Sequence, residues 1–218
     1  MKTRLILCAC LILTVIMIYP LTAYSQEPKP IKLSAPRAES GKSLVQALKE
    51  RKTMREFSPR ELPLQVLSEM LWAACGVNRP DSGGRTAPSA MNMQEIDIYV
   101  ATKDGLYLFN AKENILEPIL AEDIRGLTGK QAFVKEAPVN LIYVANMSKM
   151  SKLSPENASF YAATDTGFIS ENVYLYCASE GLATVVRGWV DKPTLAKAMK
   201  LGSDKMIVLA QTVGYPKD

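Results

Sequence analysis

From Pro155 to Glu180 the chain carries no internal proline, and Ala162, Ile169, Val173 and Cys177 fall on one stripe at helical spacing before Gly181 closes the segment. That pattern predicts a helix of about seven turns. Such a stripe has to be covered, and Val139 to Ala145 (VNLIYVA) is a continuous apolar run suited to a central strand. Around this pair the signals are shorter. Ser43 and Gln46 fit a capping box opening a helix through Glu50. Pro63 sits at a first-turn position, with Leu64, Leu67, Leu71 and Ala74 on one face before Gly76. Ile96, Ile98 and Val100 alternate with Asp97 and Tyr99 as in a half-buried strand, and Asp104-Gly105 turns into LYLF, a hairpin. A short helix is expected over Gly129 to Lys135, a last one near Pro193 to Lys200, and the strand MIVLAQTVG near the C-terminus. Helices and strands mix without strict βαβ alternation, so the class is α+β around one sheet.

Lys2 and Arg4 precede an uncharged run from Leu5 to Tyr19, and Ala23 and Ser25 suit the positions before a signal-peptidase cut. We therefore expect residues 1–25 to be a signal peptide and the mature chain to be exported, in a bacterial setting to the periplasm; a retained N-terminal anchor is the alternative. Residues 26–40, rich in proline and charge, read as an extended leader on the surface or on a partner, and 41–218 as one domain. The cut removes two cations and no acids, so 26 Lys+Arg against 22 Asp+Glu becomes 24 against 22. A net charge near +2 offers no general field for nucleic acid. The chain has no histidine, which excludes Ser-His-Asp and Cys-His machinery and any His-ligated metal. Cys75 and Cys177 both lie in apolar helical contexts and are either small buried hydrophobes or one disulfide.

Two segments remain unexplained by packing. Arg51 to Arg60 (RKTMREFSPR) sets four cations at a helix end, where they either complement the helix dipole in solvent or await an anion. Residues 77–92 form a long stretch of turn residues ending in PSAMN, and a loop of that length inside a compact domain is more often functional than idle.

Arg51-Lys52-Thr53-Met54-Arg55 resembles the Arg-Arg-Ser-x-Arg signature of the FMN-dependent nitroreductase family, and Pro88-Ser89-Ala90-Met91-Asn92-Met93-Gln94 is similar to its Pro-Ser-x-x-Asn-x-Gln segment. Asp165, Gly167 and Glu171-Asn172, then Gly181-Leu182-Ala183-Thr184, and finally Val213-Gly214-Tyr215-Pro216, follow in the family's order. The resemblance, which includes an azoline-dehydrogenase-like branch, implies a nitroreductase-like fold with a central, mostly antiparallel sheet flanked by helices. It also implies an intertwined homodimer with an FMN in each of two sites at the subunit interface.

Carried over by position, Arg51 and Thr53 would hold the phosphate and ribityl end, with Lys52 in the same cofactor-binding segment. A guanidinium can contact two phosphate oxygens at once. Arg55 would lie near the pyrimidine edge, where positive charge stabilises the reduced ring. Pro88, Ser89 and Asn92 would come from the other subunit, and backbone amides at Arg187-Gly188 would face the centre of the isoalloxazine. The implied activity is transfer of hydride or electrons from NAD(P)H or another reductant, through FMN, to a flat acceptor such as a nitroaromatic or quinone. An exported flavin-binding paralogue without turnover is the alternative. A basic phosphate contact that many members carry beyond the Gly-Tyr-Pro is not matched here, and Arg85 either substitutes for it or sits in solvent. PSAMN also fits a plain turn, Met91, Met93 and Tyr161 also fit a core, and for Asp165 and Asn172 a bracing role within the long helix is the favoured reading.

Overall fold

In a computed structural model that describes residues 29–37 and 41–217, the chain builds one seven-stranded antiparallel sheet with helices packed against it. The signal segment expected over residues 1–25 lies outside the described residues. In chain order the elements are β1 (Ile31–Lys32), α1 (Leu44–Glu50), α2 (Leu64–Cys75), β2 (Val77–Arg79), β3 (Gly84–Arg85), β4 (Ile96–Thr102), β5 (Gly105–Asn110) and β6 (Ile115–Leu120). There follow α3 (Phe133–Glu136), β7 (Val139–Asn146), α4 (Pro155–Glu180), β8 (Ala183–Arg187), α5 (Lys192–Ala198) and β9 (Lys205–Gly214). The sheet order is β1-β6-β5-β4-β7-β9-β8, and β2 and β3 form a separate small ribbon.

The expected long helix is present over its full predicted length. Ser154 caps it by accepting from Asn157 N, and Gly181 ends it in the left-handed region at φ 70°. All four residues of the expected stripe are buried. α2 and α1 pack on α4, and α4 lies over β4, β8 and β9. The main core lies between these helices and one sheet face, around Leu71, Leu141, Tyr143 and Val173, while Tyr99, Ile142, Val144 and Leu195 form a second core on the opposite face.

Several local expectations are corrected. β4 is buried on both faces rather than alternating, because Tyr99 and Ala101 pack into the second core beside α5. Gln46 does not complete the capping box: Ser43 accepts from Gln46 N, but the Gln46 amide turns to Glu50 instead. Leu64 lies 44% exposed, outside the buried face of α2. Three sheet strands, β1, β6 and β8, were unexpected, and the long loop contains the β2–β3 ribbon. The described part of the leader lies on its own chain. There β1 pairs with β6, Leu33 is buried, and Arg37 binds Glu69 through Nε at 2.7 Å and Nη2 at 2.8 Å. Cys75 and Cys177 are both free.

Candidate functional site

The cationic segment is laid along the free edge of β8. Met54 N donates to Thr184 O (3.0 Å), and Phe57 bridges to Pro216. Tyr174 of α4 ties the two together, since its hydroxyl accepts from Val186 N (3.0 Å) and sits 3.1 Å from Thr53 Oγ1. The Arg51 guanidinium stands over the Tyr174 ring, 5.3 Å from its centroid. An exposed sheet edge offers unpaired amides and carbonyls, and these contacts use them to fix a strand of cations. Arg60 packs on Tyr215 at 4.1 Å. Arg51, Lys52 and Arg55 pair with no carboxylate among the described residues, and Lys52, Thr53 and Arg55 are exposed. Arg51 held over the Tyr174 ring, with unpaired Lys52 and Arg55 and a hydroxyl on the same strand, fits an anionic group of the phosphate type. A cleft of about 500 Å³ opens beside them, lined by Lys52, Met54, Tyr174, Leu182 and Thr184. A larger apolar cavity of about 690 Å³ lies around Phe57, Leu67, Tyr107 and Val139 and holds none of the expected site residues.

The second expected segment sits elsewhere. Ser89 caps a tight turn in which Asn92 N donates to Ser89 O and Gln94 N to Ser89 Oγ. Met91, Asn92 and Gln94 all adopt positive φ, at 51°, 53° and 47°. Three non-glycine residues in that region within four positions store strain, which persists only where surrounding structure imposes it. Asp165 of α4 helps impose it, accepting from Ala90 N at 2.8 Å. The bracing reading of Asp165 therefore holds, as does that of Asn172, whose amide donates to Ala74 O at 3.4 Å. Pro88 and Asn92 remain exposed and Ser89 is half-buried. Arg85 is anchored rather than loose in solvent, because Nε donates to Gln94 Oε1 and Nη1 to Cys75 O.

These two segments grip α4 at Asp165 and Tyr174, nine positions apart, which is about 13 Å along the helix and about 180° around it. One chain therefore holds the two expected segments apart. At the end of β8 the Arg187 side chain turns inward, 4% exposed, donating to Thr128 O and Asn140 Oδ1, and among the described residues its Nε has no partner and it forms no ion pair. Burial pulls its pKa down to about 10. Gly188, next in the chain, is exposed. Sequence reasoning missed Tyr174, which carried no signal as one tyrosine among nine.

The profile of the Nitroreductase family matches residues 48–215. This chain belongs to the nitroreductase family. It is 32% identical over 155 residues to a Methanocaldococcus jannaschii protein named "Putative nitroreductase", spanning 66% of this chain and 78% of that one. A crystal structure from Ralstonia eutropha JMP134, described in the same terms, superposes with a TM-score of 0.84 at 44% identity over 89% of this chain and 92% of that one. The fold also matches the NADPH:FMN oxidoreductase of Vibrio harveyi, complexed with NAD+, at TM-score 0.60 and 16% identity, covering 80% and 69% of the two chains. Membership in this nitroreductase family supports flavin-dependent oxidoreduction as the general chemistry.

Proposed function

We propose that the protein is an exported FMN-dependent oxidoreductase that works as a homodimer, taking hydride from NAD(P)H or another reductant and passing it to a flat acceptor such as a nitroaromatic or quinone. The observation that carries this reading is the separation of the half-sites on opposite flanks of α4. A second copy is needed to bring the Arg51–Arg55 strand of one chain against Pro88, Ser89 and Asn92 of the other. A surface for that copy exists between them. Phe160 and Phe168 project from α4 at 63% and 45% exposure, and nothing lies within 4 Å of where a Gly167 Cβ would stand. Large exposed aromatics around a bare backbone position favour close approach of another helix.

In this arrangement Arg51, Lys52 and Thr53 hold the phosphate end, and Arg55 supplies positive charge at the flavin's polar edge. Asn92 offers its side-chain amide to the same edge from the partner, and the exposed backbone at Gly188 leaves room for close approach of a planar ring. FMN, when bound, supplies the hydride chemistry itself, which accounts for a family member without histidine. Tyr174 keeps the cationic strand in place, and burial against the partner would exclude water.

The test is to purify the chain, titrate it with FMN by fluorescence, and follow reoxidation of the reduced holoprotein by a quinone. One FMN per chain and faster reoxidation than for free FMN are expected. Failure to bind would overturn the reading, and binding without acceleration would reduce it to a flavin carrier. Arg51→Ala should weaken FMN by about one to two decades, the worth of a charge-assisted bond of roughly 1.5–3 kcal/mol.

A further inference from the structure

Beneath the strained turn lies a pair of buried carboxyl groups that the proposed chemistry does not use. Glu95 is 0% exposed, and neither of its carboxylate oxygens has a hydrogen-bond partner among the described residues. Asp165, at 2% exposure, lies beside it and accepts from Ala90 N. Two ionised carboxylates offer each other only lone pairs, so this contact closes when one of them carries a proton.

Little else relieves Glu95: its own backbone amide and the charge of Lys149 favour the ionised form, but Lys149, in the turn after β7, directs its Nζ to Gln94 O at 2.6 Å. Arg85 of β3 is committed to Gln94 and to the Cys75 carbonyl, and burial raises the pKa of the Cys75 thiol at the end of α2. Thr166 Oγ1, beside Asp165 in α4, is itself unpartnered. Burial first, and then the negative charge of Asp165 beside it, push Glu95 up to about 7 against the opposing pull of its own backbone amide and of Lys149.

We propose that Glu95 is a positioning residue for the flavin site: protonated, it donates to Asp165 and completes a chain from Glu95 through Asp165 to Ala90 N–H that holds residues 89–94, and with them Asn92, in their strained shape. Loss of the proton sets two negative charges side by side in the core and loosens the turn. The consequence for flavin rests on the function proposed above. The pin itself is a property of the fold.

Amide exchange of residues 89–94 in the full chain without flavin, corrected for the intrinsic pH dependence of exchange, tests the pin from about pH 5.5 to about pH 8.5. Protection should fall about tenfold across the Glu95 titration, which is one decade in the opening equilibrium. Glu95→Gln keeps a donor and cannot ionise, so its protection should stay flat with pH. FMN binding on the same samples should weaken about tenfold over that interval in the parent chain and not in Glu95→Gln. Flat protection in the parent chain overturns the pin whatever flavin does. Protection that follows pH in a chain that never binds FMN leaves the pin standing and overturns the flavin reading. Should Glu95→Gln fail to fold, the parent titration decides alone.

Discussion

Tyr174 is the residue on which the cationic strand turns. Its hydroxyl meets both Thr53 and the Val186 amide, and its ring lies under Arg51. Tyr174→Phe keeps the ring but removes hydrogen bonds worth about 1 kcal/mol each. FMN affinity should fall about five- to tenfold, measured by fluorescence titration, and the melting temperature should fall by a few degrees. Arg37 and Glu69 make a second residue-scale case. The Arg37 hydrogen bond, partly opposed by burial, holds the Glu69 carboxyl down at about 2. A depressed carboxylate contributes stability above its ordinary pKa and loses it as pH falls through the folded value, so this contribution should fade from about pH 4.5 down to about pH 2. Because Arg37 is 52% exposed, Arg37→Ala should cost little stability near neutral pH, and it should flatten that acid limb in urea unfolding.

Among the elements, α4 has the best-defined ends, and Gly181 tests why. At φ 70° it takes the left-handed cap, so Gly181→Ala should cost about 1–2 kcal/mol by chemical denaturation without altering the cationic strand. The hairpin at Gly105 is as specific, since φ is 148° and a Cβ there would strike the Leu120 carbonyl oxygen. That same contact belongs to β6, which was hidden in the residue order. Pro118 lies within β6 and argues against a strand, and Asn114 makes the preceding turn at φ 52°. β8 was hidden for a different reason: Ala183–Arg187 follows the helix cap so closely that Gly181–Thr184 reads as a turn, and only pairing with β9 makes it a strand. Among the candidate site residues, Arg51 to Arg55 and Pro88 to Asn92 stand out in the sequence as segments, because their composition departs from what packing requires. Arg85 was left open between phosphate and solvent, and its commitment to Gln94 and Cys75 follows from the β2–β3 ribbon folding back on α2.

For the molecule as a whole, the question is what covers α4. Its inward face is spent on the sheet, and Phe160, Gly167 and Phe168 point away from it. On the proposed dimer, Phe160→Glu with Phe168→Glu should shift sedimentation from dimer to monomer, with far-UV circular dichroism unchanged, and should release FMN in step. A monomer that still bound FMN tightly would contradict the shared site. Among the described residues, no helix is long and apolar enough to cross a membrane. The long helix, the central strand β7, the α+β class and family membership were all readable along the chain, because helical period, apolar runs and motif order are one-dimensional properties. Folding alone decided that Ala90 meets Asp165 across 75 positions, that Glu95 is trapped beside it, and that Thr53 and Ala90 reach opposite flanks of one helix. Such contacts depend on strand register and helix rotation, which settle only when every element packs at once.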